Sequence, residues 1–327
     1  MRVLIVGCGY VGLPLGAELV RRGHEVFGVR RPLRPSTKLR RSQTKPSVSA
    51  EMMAAVREKS QEIERKHWQG VTPIHADITR REDLEKFPGP FDWVINTISS
   101  SKGGVEEYRA VYLEGTRHLL GWFSRHPPRQ YVYTSSTSVY AQTDGAWVTE
   151  ESAAEGASET GRVLVETEQL LLDAARQRNF PAVILRVAGI YGPERGHLFQ
   201  QYIKGEARLA GDGSRLINMV HRDDVVRAII AALERGRASE IYNVTDDEPV
   251  TQREFFDWLS GELHMPFPPS EPENTARKRG LTNKRVSNRK LRLELQCELK
   301  YPDFRQGYAA EIARLRAAGR WPSGIGN

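Results

Sequence analysis

Short apolar runs recur along the chain, separated by longer stretches of helix-like pattern. The first run is Arg2–Val6. It breaks into the turn Gly7-Cys8-Gly9-Tyr10-Val11-Gly12, and a helix is expected over about Leu13–Arg22, with Gly23 where a C-cap glycine belongs. A second strand follows at Glu25–Val29. Further strands are expected at Val71–His75, Trp93–Thr97, Gln130–Thr134, Val183–Val187 and Ile241–Val244. Helical stretches lie between them near 105–124, 161–178 and 223–235. The last has Asp223 and Asp224 in its first turn, where carboxylates suit the helix dipole. This alternation predicts an α/β fold of the Rossmann type, a doubly wound parallel sheet.

Residues 32–48 are rich in Pro, Ser, Lys and Arg and read as an irregular loop, and 49–68 read as an extra helix. Together they form a basic insertion over about 32–70. After about residue 186 the loops shorten and polar stretches take over. The expected organisation is a dinucleotide-binding domain over 1–187, completed by about 219–245, and a smaller lobe within 188–327. That lobe is discontinuous, because it draws mainly on 188–218 and 246–327. There are no internal repeats.

The glycine turn has the G-x-G-x-x-G spacing between a strand and a helix, the context that gives this motif its meaning. Gly7 suits the tight turn, Gly9 lets backbone approach a pyrophosphate, and Gly12 lets helix pack on strand. Tyr10 and Val11 complete the turn that faces the phosphates, and the helix N-terminus favours an anion. The second strand ends on Arg30 and Arg31, with no acid before Glu51. A carboxylate there would accept from a ribose 2′-OH, whereas a guanidinium suits a 2′-phosphate. NADP(H) is therefore the preferred cofactor, with NAD(H) possible; the plainer reading is that these arginines open a solvated basic loop.

Composition narrows the class. The chain has 327 residues, enough for a large core, and a formal net charge of +7. Cys8 and Cys297 are too few for a disulfide framework, which points to a reducing compartment, and a cytoplasmic protein is expected. No apolar run has the length of a membrane span, and no His/Cys cluster has metal-ligand spacing, so neither a membrane nor a metal is expected. The excess charge falls in two acid-free runs, 30–45 and 277–292. Such runs are usually solvated or phosphate-facing.

A second motif stands at Thr134-Ser135-Ser136-Thr137-Ser138-Val139-Tyr140. With the glycine turn it resembles the extended short-chain dehydrogenase/reductases, the NAD-dependent epimerase/dehydratase family. Asp77 in Ala-Asp-Ile-Thr, Glu114-Gly115-Thr116 before Leu119-Leu120, and Leu185-Arg186 before Ile190-Tyr191-Gly192-Pro193 continue the likeness. So do Asn218-Met219-Val220-His221 with Asp223-Asp224, and Ile241-Tyr242-Asn243-Val244 with Glu254. The resemblance implies a nicotinamide cofactor held by the turn together with Asp77, Ile78, Thr97 and Ser135, and Ser136 as the catalytic Ser/Thr. It also implies a homodimer through the helices at 105–124 and 161–178.

One part of the pattern is missing. The family's Tyr-x-x-x-Lys pair falls on Thr160 and Leu164, and none of the eleven tyrosines has a lysine four residues on. The family's Asn before E-G-T is Tyr112. Tyr140 is the candidate replacement acid, with Arg162 or Lys102 as a nearby cation. Arg186, Arg195, Arg215 and His221 lie on segments that face substrate in the family. Gly211-Asp212-Gly213-Ser214-Arg215 resembles a turn beside a sugar nucleotide, so a phosphorylated or carbonyl small molecule is the expected substrate. Two alternatives stay open: a non-catalytic NADP(H) sensor or scaffold, and an RNA-binding protein using the basic runs. No RNP-like aromatic pattern accompanies those runs, so nucleic acid is not the expected partner.

Overall fold

The apolar run Arg2–Val6 lies at the centre of the structure because both of its faces are covered. The computed structural model describes residues 1–32, 68–100, 103–272 and 282–321. A seven-stranded sheet comprises β1 (Arg2–Val6), β2 (Glu25–Arg30), β3 (Thr72–His75), β4 (Trp93–Asn96), β5 (Gln130–Ser136), β6 (Ala182–Val187) and β7 (Ile241–Val244). Its spatial order is β7-β6-β5-β4-β1-β2-β3, with every pairing parallel. The order reverses between β1 and β4. In open α/β sheets such a switch point opens the crevice where ligands bind.

Among the described residues four helices cover the sheet: α1 (Gly12–Arg21), α2 (Gly115–Phe123), α3 (Glu159–Arg178) and α4 (Arg222–Arg235). Val3 and Ile5 pack with Leu15, Leu19, Val225 and Ile229 of α1 and α4. Leu4 and Val6 point the other way and pack with Leu119, Phe123 and Leu171 of α2 and α3. That alternation is the period of two of a strand buried on both faces. The helix expected at 105–124 is not regular: Val105–Tyr108 runs into a π-helical turn, Arg109–Glu114, before α2. Such turns are rare and gather at functional sites.

The smaller lobe has its own core, in which Tyr191, Phe199, Phe255, Phe256, Phe304 and Tyr308 meet. Residues 285–297 leave that lobe. Val286 packs with Tyr140 and Leu164, and Leu291, Leu295 and Cys297 join the α1–α4 face of the sheet. Most of the basic insertion lies outside the described residues, including the helix expected at 49–68, as do Lys102 and residues 277–281. What is described of the 277–292 run is not an open basic surface. Lys290 pairs with Glu240 (2.6 Å), Arg292 with Asp247 (2.8 Å), and Lys284 is buried. Among the described residues no helix is long and apolar enough to cross a membrane.

A buried polar chain ties β5, β6, β7 and α3 together. Arg186 of β6 donates from Nη2 and Nε to Glu168 of α3 (2.7 and 3.1 Å), and both side chains are at most 5% exposed. Ser135 Oγ donates to Glu168 Oε1 (2.5 Å), Arg186 Nη1 to Tyr140 Oη (2.9 Å), and Tyr140 Oη to Asn243 Oδ1 (2.8 Å). Burial would lower the Arg186 pKa, but the Glu168 carboxylate more than reverses that and raises it, so the guanidinium stays charged. Breaking one side of a buried pair is far more costly than replacing both with apolar groups, because the survivor is left uncompensated. Arg186→Met should therefore lower the unfolding free energy by about 3–5 kcal/mol, with Glu168→Met/Arg186→Met recovering most of it. Urea denaturation measures both. A loss under about 1 kcal/mol for the single variant would show that the pair holds nothing.

Candidate active site

Backbone contacts shape the glycine turn. Gly7 N and Cys8 N both donate to Val29 O (3.1 and 2.9 Å), and Thr97 Oγ1 donates to Gly7 O (2.9 Å). Gly7 has φ +89°, and a Cβ there would lie 2.6 Å from Ile98 Cα. Only glycine fits. At Gly12 a Cβ would stand 2.9 Å from Gly7 O and 3.1 Å from Ile5 Cγ2, so α1 closes directly onto β1. Gly9 differs. The nearest atom to a Cβ there is Gly7 O, at 3.9 Å. Nothing in the protein requires glycine at that position, and the open space is what a pyrophosphate against the backbone needs. α1 starts beside it after Val11 with no side-chain cap and no acid in its first turn; Leu13 N donates to Gly9 O (2.9 Å) and Pro14 has no N–H, so the positive end of the helix dipole is what favours an anion there. These residues fit a dinucleotide.

Arg30 closes β2 next to this turn, its carbonyl accepting from Ala76 N (3.1 Å). Burial pushes the Cys8 thiol up to about 12 against the opposing pull of Arg30. Both arginines are exposed. Arg31 Nη1 lies 3.9 Å from Glu107 Oε1, and Glu107 in turn accepts from Ser100 Oγ (2.6 Å). At the end of β3, Asp77 Oδ1 accepts from Thr79 N and Oγ1 (3.0 and 2.8 Å), while Ile78 is buried with its carbonyl bound to His118 Nδ1 (2.9 Å). Tyr10 reaches across to the smaller lobe, its hydroxyl donating to Pro193 O (3.0 Å). The guanidinium carbons of Arg195 and Arg222 lie 4.9 and 5.4 Å from its ring centroid.

Ser136 ends β5 half-exposed, in register with Val187, and its Oγ accepts from Ser138 N (3.2 Å). The neighbouring positions on α3 lack an acid–base pair. Thr160 Oγ1 bonds the N-cap Ser158 Oγ (3.0 Å). Leu164 is buried with Val139, Tyr140, Val148 and Val286, an apolar plug where the family places a cation.

The structure moves several expected site residues elsewhere. Tyr140 is fully buried, its hydroxyl is taken by Asn243 and Arg186, and burial pushes it up to about 12. It is not presented to a substrate. Arg186 and Ser135 are engaged by Glu168 inside the sheet edge and do not line the cleft either. His221 is 3% exposed and caps α4 through Nδ1, which accepts from Asp223 N (3.1 Å). A capping acceptor must be neutral, and burial lowers His221 to about 4. Arg195 stands over the Tyr10 ring of the glycine turn. Arg215 lies half-buried on the smaller lobe, its carbonyl accepting from Gln252 N (2.9 Å). Sequence reasoning passed over Arg222, and it passed over Lys284, hidden among the charges of a basic run. Among the described residues no His/Cys/Asp/Glu group has the makings of a metal site.

The family model described as "NAD dependent epimerase/dehydratase family" matches residues 3–245. The chain belongs to the NAD-dependent epimerase/dehydratase family. Within it, protein YeeZ of Escherichia coli K12 is 27% identical over 307 residues, covering 92% of this chain and 97% of that protein. The 3-diazoavenalumate denitrifying reductase of a Streptomyces species is 25% identical over 330 residues, covering 95% and 100%. In fold, the chain matches dTDP-glucose 4,6-dehydratase from Bacillus anthracis, solved with NAD, at a TM-score of 0.77 and 18% identity over 98% of each chain.

The glycines separate folding from binding. Gly12→Ala should cost about 1–3 kcal/mol of stability, because backbone and Ile5 crowd the added methyl. Gly9→Ala should leave stability unchanged and weaken dinucleotide binding by about tenfold or more. Thermal unfolding and calorimetric titration read the two effects, and equal destabilisation by both would contradict the assignment of Gly9 to a ligand. His221 should stay neutral by NMR down to about pH 4. Since the unfolded ring takes its proton near 6.5, its contribution to stability is complete above that value and lost as pH falls from there through about 4. A His221 titration near 6.5 in the folded protein would refute the cap.

Proposed function

We propose that this protein is an NADP(H)-dependent reductase acting on a carbonyl compound that carries a phosphate or carboxylate. The observation that carries the cofactor choice is the end of β2, where Arg30 and Arg31 stand beside the glycine turn and the strand offers no carboxylate for a ribose 2′-OH. Gly9 leaves room for the pyrophosphate beside the positive end of the α1 dipole, and Arg195 and Arg222 add positive charge over Tyr10. When bound, the nicotinamide exchanges a hydride with the substrate carbon. The chain's own residues then have three tasks: to hold the cofactor, to orient the carbonyl, and to manage the proton. Ser136 Oγ, half-exposed at the carboxyl end of β5, orients the carbonyl oxygen. Arg215, on the smaller lobe, is placed to meet an anionic group of the substrate.

The relatives support this reading. Besides the Streptomyces reductase, a 2-alkyl-3-oxoalkanoate reductase of Stenotrophomonas maltophilia is 22% identical over 81% of this chain. Solved structures of similar fold include epimerases bound to UDP-glucose and UDP-glucuronic acid, so sugar nucleotides belong in the first substrate panel. One observation favours a second reading, a non-catalytic NADP(H) sensor: the lysine position holds Leu164. A homodimer through α2 and α3 would have to join polar faces on α3, whose exposed positions are Glu159, Arg162, Glu166, Gln169, Arg176, Gln177 and Arg178.

Calorimetry with NADPH, NADP, NADH and NAD tests the cofactor choice. NADPH should bind about tenfold to a hundredfold more tightly than NADH, the yield of charge-assisted bonds to a 2′-phosphate, and Arg30→Asp/Arg31→Ala should abolish the difference. Equal affinity for NADH in the wild type would overturn the preference. Turnover of no carbonyl compound by a protein that binds NADPH would favour the sensor.

A further inference from the structure

The smaller lobe meets the glycine turn at Tyr10, whose hydroxyl donates to Pro193 O (3.0 Å). Pro193 belongs to a closed turn in which Gly192 N donates to Arg195 O (3.1 Å) and Arg195 N to Gly192 O (2.9 Å). Gly192 has φ +134°, and a Cβ there would stand 2.9 Å from His221 Nε2 and 3.2 Å from Tyr10 Oη. The turn is therefore pressed against Tyr10 and against the cap of α4. The C-terminal helix Phe304–Ala317 holds the same segment within the smaller lobe. Glu194 N donates to Glu311 Oε1 (3.0 Å), and Tyr191 stacks on Tyr308 with ring centroids 4.4 Å apart. Arg195 is thus carried to the joint on a segment fixed from both lobes.

The charges at this joint do not balance. Those around the Tyr10 ring are Arg195, Arg222, Glu311 and Asp223. Asp223 pairs with Arg222 (2.9 Å) and also faces Lys300 (3.6 Å), while Glu311, 3% exposed, pairs with Arg314 (2.7 Å). Glu194, next to Arg195 in sequence, is taken by Arg320. Every acid here has a cation, and Arg195 is left over. Among the described residues its guanidinium makes no hydrogen bond and no ion pair; its Cζ lies 4.9 Å from the Tyr10 centroid. The ring face holds the guanidinium and occupies none of its N–H donors. Arg222 lies 5.4 Å from the same centroid, so two cations share one ring and only one of them is paired. A planar guanidinium with unused donors suits phosphate oxygens. Tyr10 directly follows Gly9, the position whose open space suits a pyrophosphate.

We propose that Arg195 is a ligand of the dinucleotide pyrophosphate supplied by the smaller lobe, so that cofactor binding docks that lobe onto the glycine turn. The inference rests on the dinucleotide reading of the turn and goes beyond it by assigning a phosphate contact to the other lobe. By linkage, the affinity that this contact adds to the cofactor equals the bias that the cofactor gives to the docked lobe.

The test is calorimetry on the full chain with NADPH and with adenosine 2′-phosphate, which lacks the pyrophosphate. Arg195→Gln should weaken NADPH binding by about tenfold to a hundredfold, the yield of charge-assisted bonds to a phosphate, and leave adenosine 2′-phosphate within about twofold. Tyr10→Leu, which removes the ring that holds the guanidinium, should also weaken NADPH. Adding Tyr10→Leu to Arg195→Gln should cost less than the two separate losses combined, because ring and guanidinium act together. The Tm of the free Arg195→Gln protein should stay within about 2 °C of wild type, since no hydrogen bond or ion pair is removed. Hydrogen exchange reads the lobe: NADPH should slow the amides of 189–203 in the wild type and not in Arg195→Gln. Unchanged NADPH affinity in Arg195→Gln would overturn the proposal, as would equal losses for the two ligands. A raised KM for an anionic carbonyl substrate with NADPH affinity retained would assign Arg195 to the substrate and overturn it too. A wild type that binds no dinucleotide refutes the cofactor reading itself, whereas NADPH binding that Arg195→Gln leaves intact refutes this inference alone.

Discussion

The buried ion pair between Arg186 and Glu168 is the constraint on which the rest of the site depends. Two charges removed from water must satisfy each other and every remaining donor and acceptor, or the fold loses several kcal/mol. That requirement fixes α3 against β6, draws Ser135 inward at the end of β5, and recruits Tyr140 and, through it, Asn243 of β7. Ser136 stays half-exposed beside it, and Ser138 is the exposed residue of that motif. The polar chain thus acts as a support under the cleft. It explains why three residues that sit in site motifs are structural here.

The glycine turn is governed by close approach rather than by charge. Gly7 and Gly12 are demanded by protein atoms less than 3 Å from where a Cβ would stand, whereas Gly9 is demanded by none. This asymmetry is physical support for a bound dinucleotide. Tyr10 then links the turn to the smaller lobe through Pro193, with Arg195 and Arg222 against its ring, so the glycine turn and the smaller lobe share a joint.

Much of the sheet was legible from the sequence, because β1, β4 and β6 are buried on both faces and read as largely apolar runs, with Asn96 in β4 and Arg186 in β6 among the exceptions. The expected bounds of β5 stopped two residues short, at Thr134; Ser135 and Ser136 are polar and extend the strand only through pairing with β6. The π-helical turn at Arg109–Glu114 has no signature in side-chain pattern alone. The roles of Arg186 and Tyr140 were not legible, since they depend on Glu168 and Asn243 elsewhere in the chain, and the burial of His221 depends on the rings of Tyr191 and Tyr301. Lys284 was hidden for the opposite reason, because a lysine among many basic residues looks solvated until its burial is seen.

Together these features describe a site whose glycine turn follows the family while Thr160 and Leu164 stand at the positions of its Tyr and Lys on α3. Its most direct test is a crystal structure of the protein with NADPH. The account predicts the pyrophosphate against Gly9, the 2′-phosphate on Arg30 and Arg31, and the nicotinamide facing Ser136. A dinucleotide bound away from the glycine turn, or a 2′-phosphate with no arginine beside it, would contradict it.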